Sequence, residues 1–144
     1  MKLISMIFLS LFLTKGCSKA SDDTIKNAVI EYTANTRGFY QKIVIKDQKI
    51  AVSNQRREAT MPEAKAIADA DWKLLIAAFS KIELEKIADL KSPTEKRFHD
   101  GAPAADMIIK YNEKEYICPT FDHGNPPAEV ALLVNKMVDL AKQE

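Results

Sequence analysis

The feature that most constrains the fold is a repeated change in the spacing of apolar residues. Between residues 28 and 53 apolar and polar side chains alternate, as in the run that contains Ile30, Tyr32 and Ala34. A period of two is typical of strands with one buried face. Helical spacing replaces it over residues 69–90, alternation returns over 105–121, and helical spacing closes the chain. The pattern predicts an α+β fold.

The alternating regions predict five antiparallel strands. The first region forms a three-stranded meander with turns near residues 35–38 and at Asp47–Gln48, and the second forms a hairpin that turns at residues 112–114. The helical segments lie between and after these regions. We therefore expect about five strands in one antiparallel sheet, with the helices packed on one face.

Two helical segments are expected between the strand regions. Either Asp69 or Asp71 is a suitable N-cap for the first. Residues 62–67 are compatible with the start of a short helix before it, and residues 82–90 with a second short helix after it. Residues 93–104 are expected to form a long loop, because Ser92–Pro93 disfavours further helix.

The last segment predicts an amphipathic helix over residues 126–142. Asn125 is a suitable N-cap, and Pro126 is suited to the first helical position. The apolar stripe of this helix and that of the first helix should cover one face of the sheet. The side chains expected to be buried there are Trp72, Leu75, Phe79, Val134 and Met137.

The N-terminus has the pattern of an export signal. Lys2 is followed by the apolar run Leu3–Leu13 and then by Thr14–Cys17. One positive charge, a short apolar stretch and a small residue before a cleavage point are typical of a secretory signal. The run is too short to span a bilayer of roughly 30 Å as a helix.

The cysteine that follows this run resembles that of a bacterial lipobox. The resemblance implies a lipoprotein signal peptide over residues 1–16 and an acylated Cys17, followed by a polar tether, over 17–27. The strand and helix patterns then predict a single α+β domain over 28–144. Asp22–Asp23 is similar to the acidic pairs in surface lipoproteins of Bacteroidota-type bacteria. We therefore expect an exported lipoprotein, anchored in the membrane of the bacterial envelope through Cys17.

Charge and cysteine content exclude some function classes. Removal of residues 1–16 takes away two lysines and no acid, which leaves 19 basic and 20 acidic residues and a formal charge of −1. A nucleic-acid partner, which requires a concentrated basic face, is not expected. Cys118 would be the one remaining thiol, so there is no disulfide framework, and we expect it to be a buried apolar side chain.

Two polar connections are candidates for a binding surface. The turn at residues 35–39 contains Arg37 and Phe39, and the connection at 122–127 contains Asp122 and His123. If the sheet brings both to one end, these four side chains form a patch suited to protein recognition. An alternative is that Arg37 pairs with Asp122 and only locks the two connections together.

An enzyme is the second hypothesis. His99, Asp100, Asp122 and His123 could support a metal-assisted or acid–base hydrolase. However, Asp100–Gly101 is more typical of a turn, and zinc-type histidine spacing, a Gly-x-Ser-x-Gly motif and a glycine-rich phosphate loop are all missing from the sequence. We therefore expect no catalytic residues, no metal and no cofactor.

A family resemblance supports the first hypothesis. Arg37–Phe39, Asp106 and residues 122–127 resemble the corresponding points of emfourin-type protease-inhibitor domains, and the similarity extends over about residues 28–142. The chain also resembles uncharacterised Bacteroidota lipoproteins. These resemblances imply an envelope binding or inhibitory module without catalytic activity, whose partner is an envelope or secreted protein such as a metalloprotease.

Overall fold

The computed structural model describes residues 22–144, so residues 1–16 and Cys17 lie outside the described part. A six-stranded antiparallel sheet has the order β4-β3-β2-β1-β5-β6. Three α-helices and two 3₁₀ helices accompany it. The elements are α1 (Asp22–Lys26), β1 (Val29–Thr36), β2 (Phe39–Lys46), β3 (Lys49–Ser53), β4 (Lys65–Ala66), α2 (Asp69–Phe79), the 3₁₀ helices Leu84–Asp89 and Lys96–His99, β5 (Ala104–Tyr111), β6 (Lys114–Asp122) and α3 (Ala131–Ala141).

The α+β fold predicted from the sequence is confirmed, but the sheet has six strands instead of about five. The meander is β1–β3, and the hairpin is β5–β6, which joins the sheet beside β1. The additional strand, Lys65–Ala66, pairs with β3, and the N–H of Ile67 donates to the carbonyl of Gln48 at 2.9 Å. The short helix suggested for residues 62–67 is therefore wrong, because pairing with β3 satisfies this backbone instead.

The core lies between the sheet and the helices. The inward row of β1, which comprises Ile30, Tyr32 and Ala34, is fully buried, as the alternation predicted. The expected helix residues join the same cluster. Trp72, Leu75, Phe79, Val134 and Met137 are each at most 4% exposed. This confirms the predicted buried face of both helices.

The predicted cap of α2 is wrong. Ala68 occupies the N-cap position and makes no side-chain cap bond. Both candidate caps are already inside the helix and bind other elements: Asp69 accepts a bond from Gln48 Nε2 at 2.7 Å, and Asp71 pairs with Lys136 of α3 at 2.5 Å. Contacts with the sheet turn and with α3 therefore determine where these two acids lie.

The last helix begins later than expected. It starts at Ala131, not at Pro126, and Val130 occupies the N-cap position instead of Asn125. Because each proline disfavours helical geometry in the residue before it, Asn125 and Pro126 are both directed away from the helix. The N–H of Asn125 instead donates to the carbonyl of Asp122 at 2.9 Å, and Gly124 in this turn has a φ of 91°.

Three segments have more helical structure, or a different helix type, than expected. Within the proposed tether over 17–27, α1 is helical and its Ile25 is buried, so the core includes a residue before position 28. Residues 82–90 contain a 3₁₀ helix with Ile87 buried. The loop over 93–104 also contains a 3₁₀ helix. Within residues 22–144, no helix is long and apolar enough to cross a membrane.

Leu75 and its neighbour Leu74 provide a matched test of this packing. Leu75 is fully buried, whereas Leu74 is 57% exposed on the same helix. We expect Leu75→Ala to lower the free energy of unfolding by about 2–5 kcal/mol, because it opens a cavity in the core. Leu74→Ala should change it by about 0.5 kcal/mol or less. Urea titration measures both, and equal losses would show that the assigned helix face is wrong.

Candidate functional site

The sheet brings the two candidate connections to the same end. Thr36 pairs with Phe39 across the β1–β2 turn. At this end of the sheet, Ala104 pairs with Asn35 on one side and with Asp122 on the other. The turn that holds Arg37 and the start of the β6–α3 connection therefore lie at one edge of the molecule.

Phe39 and His123 are in direct contact at this edge. Their ring centroids lie 5.3 Å apart. Behind them, the hydroxyl of the fully buried Tyr32 hydrogen-bonds to His123 Nδ1 at 2.6 Å. Phe39 is 38% exposed, and His123 is half-buried. We call the surface formed by Arg37, Phe39 and His123 the end patch.

Burial determines the protonation of the histidine and the tyrosine. It lowers the pKa of His123 below its usual value, and the positive charge of Lys142 lowers it further. Burial also raises the pKa of Tyr32, with a smaller contribution from the negative charge of Asp106. At neutral pH both groups are therefore uncharged, and the bond between the Tyr32 hydroxyl and His123 Nδ1 joins two neutral groups. This neutral bond holds the imidazole in place under Phe39.

Asp122 does not belong to the exposed surface, which corrects its assignment as a binding residue. Its side chain is completely buried. One carboxylate oxygen accepts bonds from Thr94 Oγ1 at 2.5 Å and from the N–H of Lys96 at 2.7 Å. The other accepts bonds from the N–H and Nη1 of Arg97 at 3.1 and 3.0 Å. The carboxylate is thus fully used within the fold.

These contacts keep Asp122 ionised. Burial alone would raise the pKa of its carboxyl group, but the bonds from the Thr94 hydroxyl, the Arg97 side chain and the two backbone N–H groups outweigh burial and lower the pKa to about 2. Because the folded pKa is depressed, the ionised form stabilises the fold fully above the ordinary value near 3.8. That stabilisation is lost as the pH falls through about 2.

Arg37 does not pair with Asp122, so the alternative in which the two residues lock the connections together is wrong. The cation that pairs with Asp122 is Arg97, whose side chain is only 14% exposed. Arg37 lies on the exposed turn, and within residues 22–144 its guanidinium group makes no hydrogen bond or ion pair. It therefore remains available for intermolecular contacts.

His99 and Asp100 form a turn, as the sequence favoured. Both are exposed, and Asp100 has a φ of 56° at the end of the 3₁₀ helix Lys96–His99. The N–H of Gly101 closes this turn by donating to the carbonyl of Lys96 at 2.8 Å. Among residues 22–144, no group of three or more His, Cys, Asp and Glu side chains is placed to hold a metal ion.

Sequence reasoning missed the residues that organise this end of the sheet. Arg97 and Thr94 lie 25 and 28 positions before Asp122, in a segment that has no periodic pattern. Tyr32 was expected in the core, but not as the partner of His123. The one signal in the sequence was the acid Asp122 at the end of an apolar strand. A buried acid needs a partner that compensates its charge, but the sequence does not identify that partner.

The chain was compared with protein-family models, curated proteins and solved structures. No protein-family model, no curated protein and no solved structure matches the chain.

Asp122 can be compared with an exposed acid of the same type. Asp122→Asn should lower the free energy of unfolding by roughly 3–5 kcal/mol, because it leaves Arg97 with little solvent and no counter-charge. Asp139→Asn removes an exposed acid that pairs with Lys142 and should cost less than about 1 kcal/mol. Denaturant unfolding at neutral pH measures both. A similar, small loss in both variants would contradict the structural role of Asp122.

Proposed function

We propose that the protein is a lipid-anchored module of the bacterial cell envelope that binds or inhibits another protein and has no catalytic activity. The end patch is its binding surface. The observation that carries this proposal is that an exposed aromatic ring, Phe39, lies against a histidine fixed by a buried tyrosine. Beside it, Arg37 presents a guanidinium group free of partners within residues 22–144.

This combination suits recognition because its two rings, Phe39 and His123, are in contact before a partner arrives. Aromatic and arginine side chains contribute most of the energy in protein interfaces. A ring that is already ordered loses less side-chain entropy on binding. Tyr32, which is part of the core, supports His123, and His123 in turn contacts Phe39. Binding to the end patch therefore loses little side-chain entropy at these two rings, which favours a higher affinity.

The position of the end patch suits an anchored protein. The chain enters β1 at Val29 and reaches the patch at the other end of this 8-residue strand, which spans about 25 Å. Acylation of Cys17 would attach the lipid on the N-terminal side of Val29. In this arrangement the patch is directed away from the end that leads to the anchor, where an envelope or secreted protein can reach it.

The hydrolase hypothesis has less support. It needs Asp122 and His123 to act on a substrate, but the Asp122 carboxylate is buried and saturated with hydrogen bonds. His123 Nδ1 is bonded to Tyr32. The other two residues of the hydrolase hypothesis, His99 and Asp100, lie on an exposed turn. A general base needs an accessible lone pair near the proton it removes, which Asp122 does not provide.

The proposed partner is a protein of the envelope or a secreted protein, and not a nucleic acid. The emfourin-type resemblance makes a secreted metalloprotease the first partner to test. Inhibition of such a protease would require that the end patch cover its active-site cleft. The lipid anchor would concentrate the inhibitor at the membrane.

Phe39 provides the test of the end patch. Phe39→Ala should abolish capture of an envelope or secreted partner while the domain remains folded, because the ring lies at the edge of the sheet and is 38% exposed. The control is Leu74→Ala, which removes an exposed apolar side chain from α2, outside the end patch, and should leave capture unchanged. Pull-down from an envelope extract, with mass spectrometry of the retained proteins, makes the measurement. Unchanged capture by Phe39→Ala would remove the end patch from consideration.

Cys17 provides the test of anchoring. We expect the native protein to begin at a diacylated or triacylated Cys17, and Cys17→Ser to move it from the membrane fraction to the soluble fraction. Each buried CH₂ of an acyl chain contributes roughly 0.8 kcal/mol, so loss of the lipid removes the anchor. Intact-mass spectrometry and fractionation check this. An unmodified Cys17, or a native chain that retains residues 1–16, would refute anchoring.

A further inference from the structure

A basic groove adjoins the end patch and shares Arg37 and Phe39 with it. It has a volume of about 440 Å³ and lies between residues 37–40, at the β1–β2 turn, and residues 54–57, which follow β3. The chain has four arginines among its 21 basic residues, and three of them, Arg37, Arg56 and Arg57, line this groove. The fourth is Arg97, which is bound to Asp122. Arginine is therefore concentrated here, in a chain that otherwise uses lysine.

One of these arginines builds the groove. Arg56 Nη2 donates to the carbonyl of Thr36 at 2.5 Å and to the side chain of Asn35. Its guanidinium carbon lies 5.9 Å from the centre of the Tyr40 ring. These contacts fasten the segment after β3 to the β1–β2 turn. The groove is thus a feature of the folded domain, held from both walls.

The other two arginines remain available. Within residues 22–144, the guanidinium groups of Arg37 and Arg57 make no hydrogen bond or ion pair, and both residues are exposed. None of the eight lining residues is an acid. Like charges gathered without counter-charges repel one another, and a bound anion relieves this repulsion.

We propose that this groove binds an acidic segment of the protein partner. Arginine presents a planar fork of N–H donors that matches a carboxylate in two parallel hydrogen bonds, which lysine cannot do. The ring of Tyr40, which lies 5.9 Å from the guanidinium carbon of Arg56, supplies apolar contact to the stems of glutamate or aspartate side chains. The inference rests on the proposed function, because it identifies the chemistry of the partner bound beside the end patch.

The shape of the groove favours a peptide over a single phosphate group. A small anion is usually enclosed by converging backbone N–H groups at a helix N-terminus or a glycine-rich loop. Here the donors are side chains on two separate segments, and the groove between them is open to solvent. An extended chain with several carboxylates can reach both walls at once.

The test uses the folded domain and a hexaglutamate peptide, titrated by calorimetry at low salt. Arg37→Gln/Arg57→Gln should weaken binding at least about tenfold. The matched control is Lys46→Gln/Lys49→Gln, which removes the same charge at the opposite end of β2, where both lysines are exposed. The control should bind the peptide as the unmodified protein does. Raised salt should weaken the binding of the unmodified protein.

Three results would overturn the proposal. They are the absence of peptide binding by the unmodified protein, equal weakening in both double variants, and equally tight binding of inorganic phosphate or anionic lipid vesicles through the same arginines. Capture of the partner separates this inference from the proposed function. If Phe39→Ala loses the partner while the arginine double variant keeps it, Phe39 and His123 remain the binding surface, Arg37 no longer belongs to it, and the groove proposal fails. If no partner is captured at all, the proposed function fails, and the peptide titration still decides the chemistry of the groove.

Discussion

The buried carboxylate of Asp122 is the interaction on which this end of the molecule depends. It lies at the last position of β6 and accepts bonds from Thr94, Lys96 and Arg97. One side chain therefore joins an irregular segment to the end of the sheet. Because an ion without partners is very costly inside a protein, these contacts leave the segment few other arrangements. Because His123 directly follows Asp122 in the chain, these contacts also fix the position of its backbone.

The end patch follows from that arrangement, and the basic groove adjoins it. His123 is held between Tyr32 in the core and Phe39 at the surface. The same turn that contains Phe39 is tied to the segment after β3 through Arg56. The Phe39–His123 contact and the anchored guanidinium group of Arg56 thus lie at the same end of the sheet. A rigid surface of this kind can select a partner by shape as well as by charge.

Much of the fold was readable from the sequence, because period-two alternation fixes which side chains face inward. Ile30 and Leu75 were placed correctly for this reason. β4 and the start of α3 were not predicted correctly. Residues 65–66 pair with β3 instead of forming a helix, and the two consecutive prolines at 126–127 delay the start of α3. The site was only partly readable. Arg37, Phe39 and His123 do meet at one end, but the partner of Asp122 is an arginine 25 positions away, and no local pattern reveals such a pair.

The most direct test of the structural role of Asp122 is a side-chain carboxyl ¹³C NMR titration of the folded protein. The Asp122 resonance should show a midpoint near pH 2, because the ionised form is held by Thr94, Arg97 and the backbone. Its signal should move together with those of the Lys96 and Arg97 amides, which donate to it. A midpoint at or above the ordinary value of 3.8, with no accompanying change in those amides, would contradict the account.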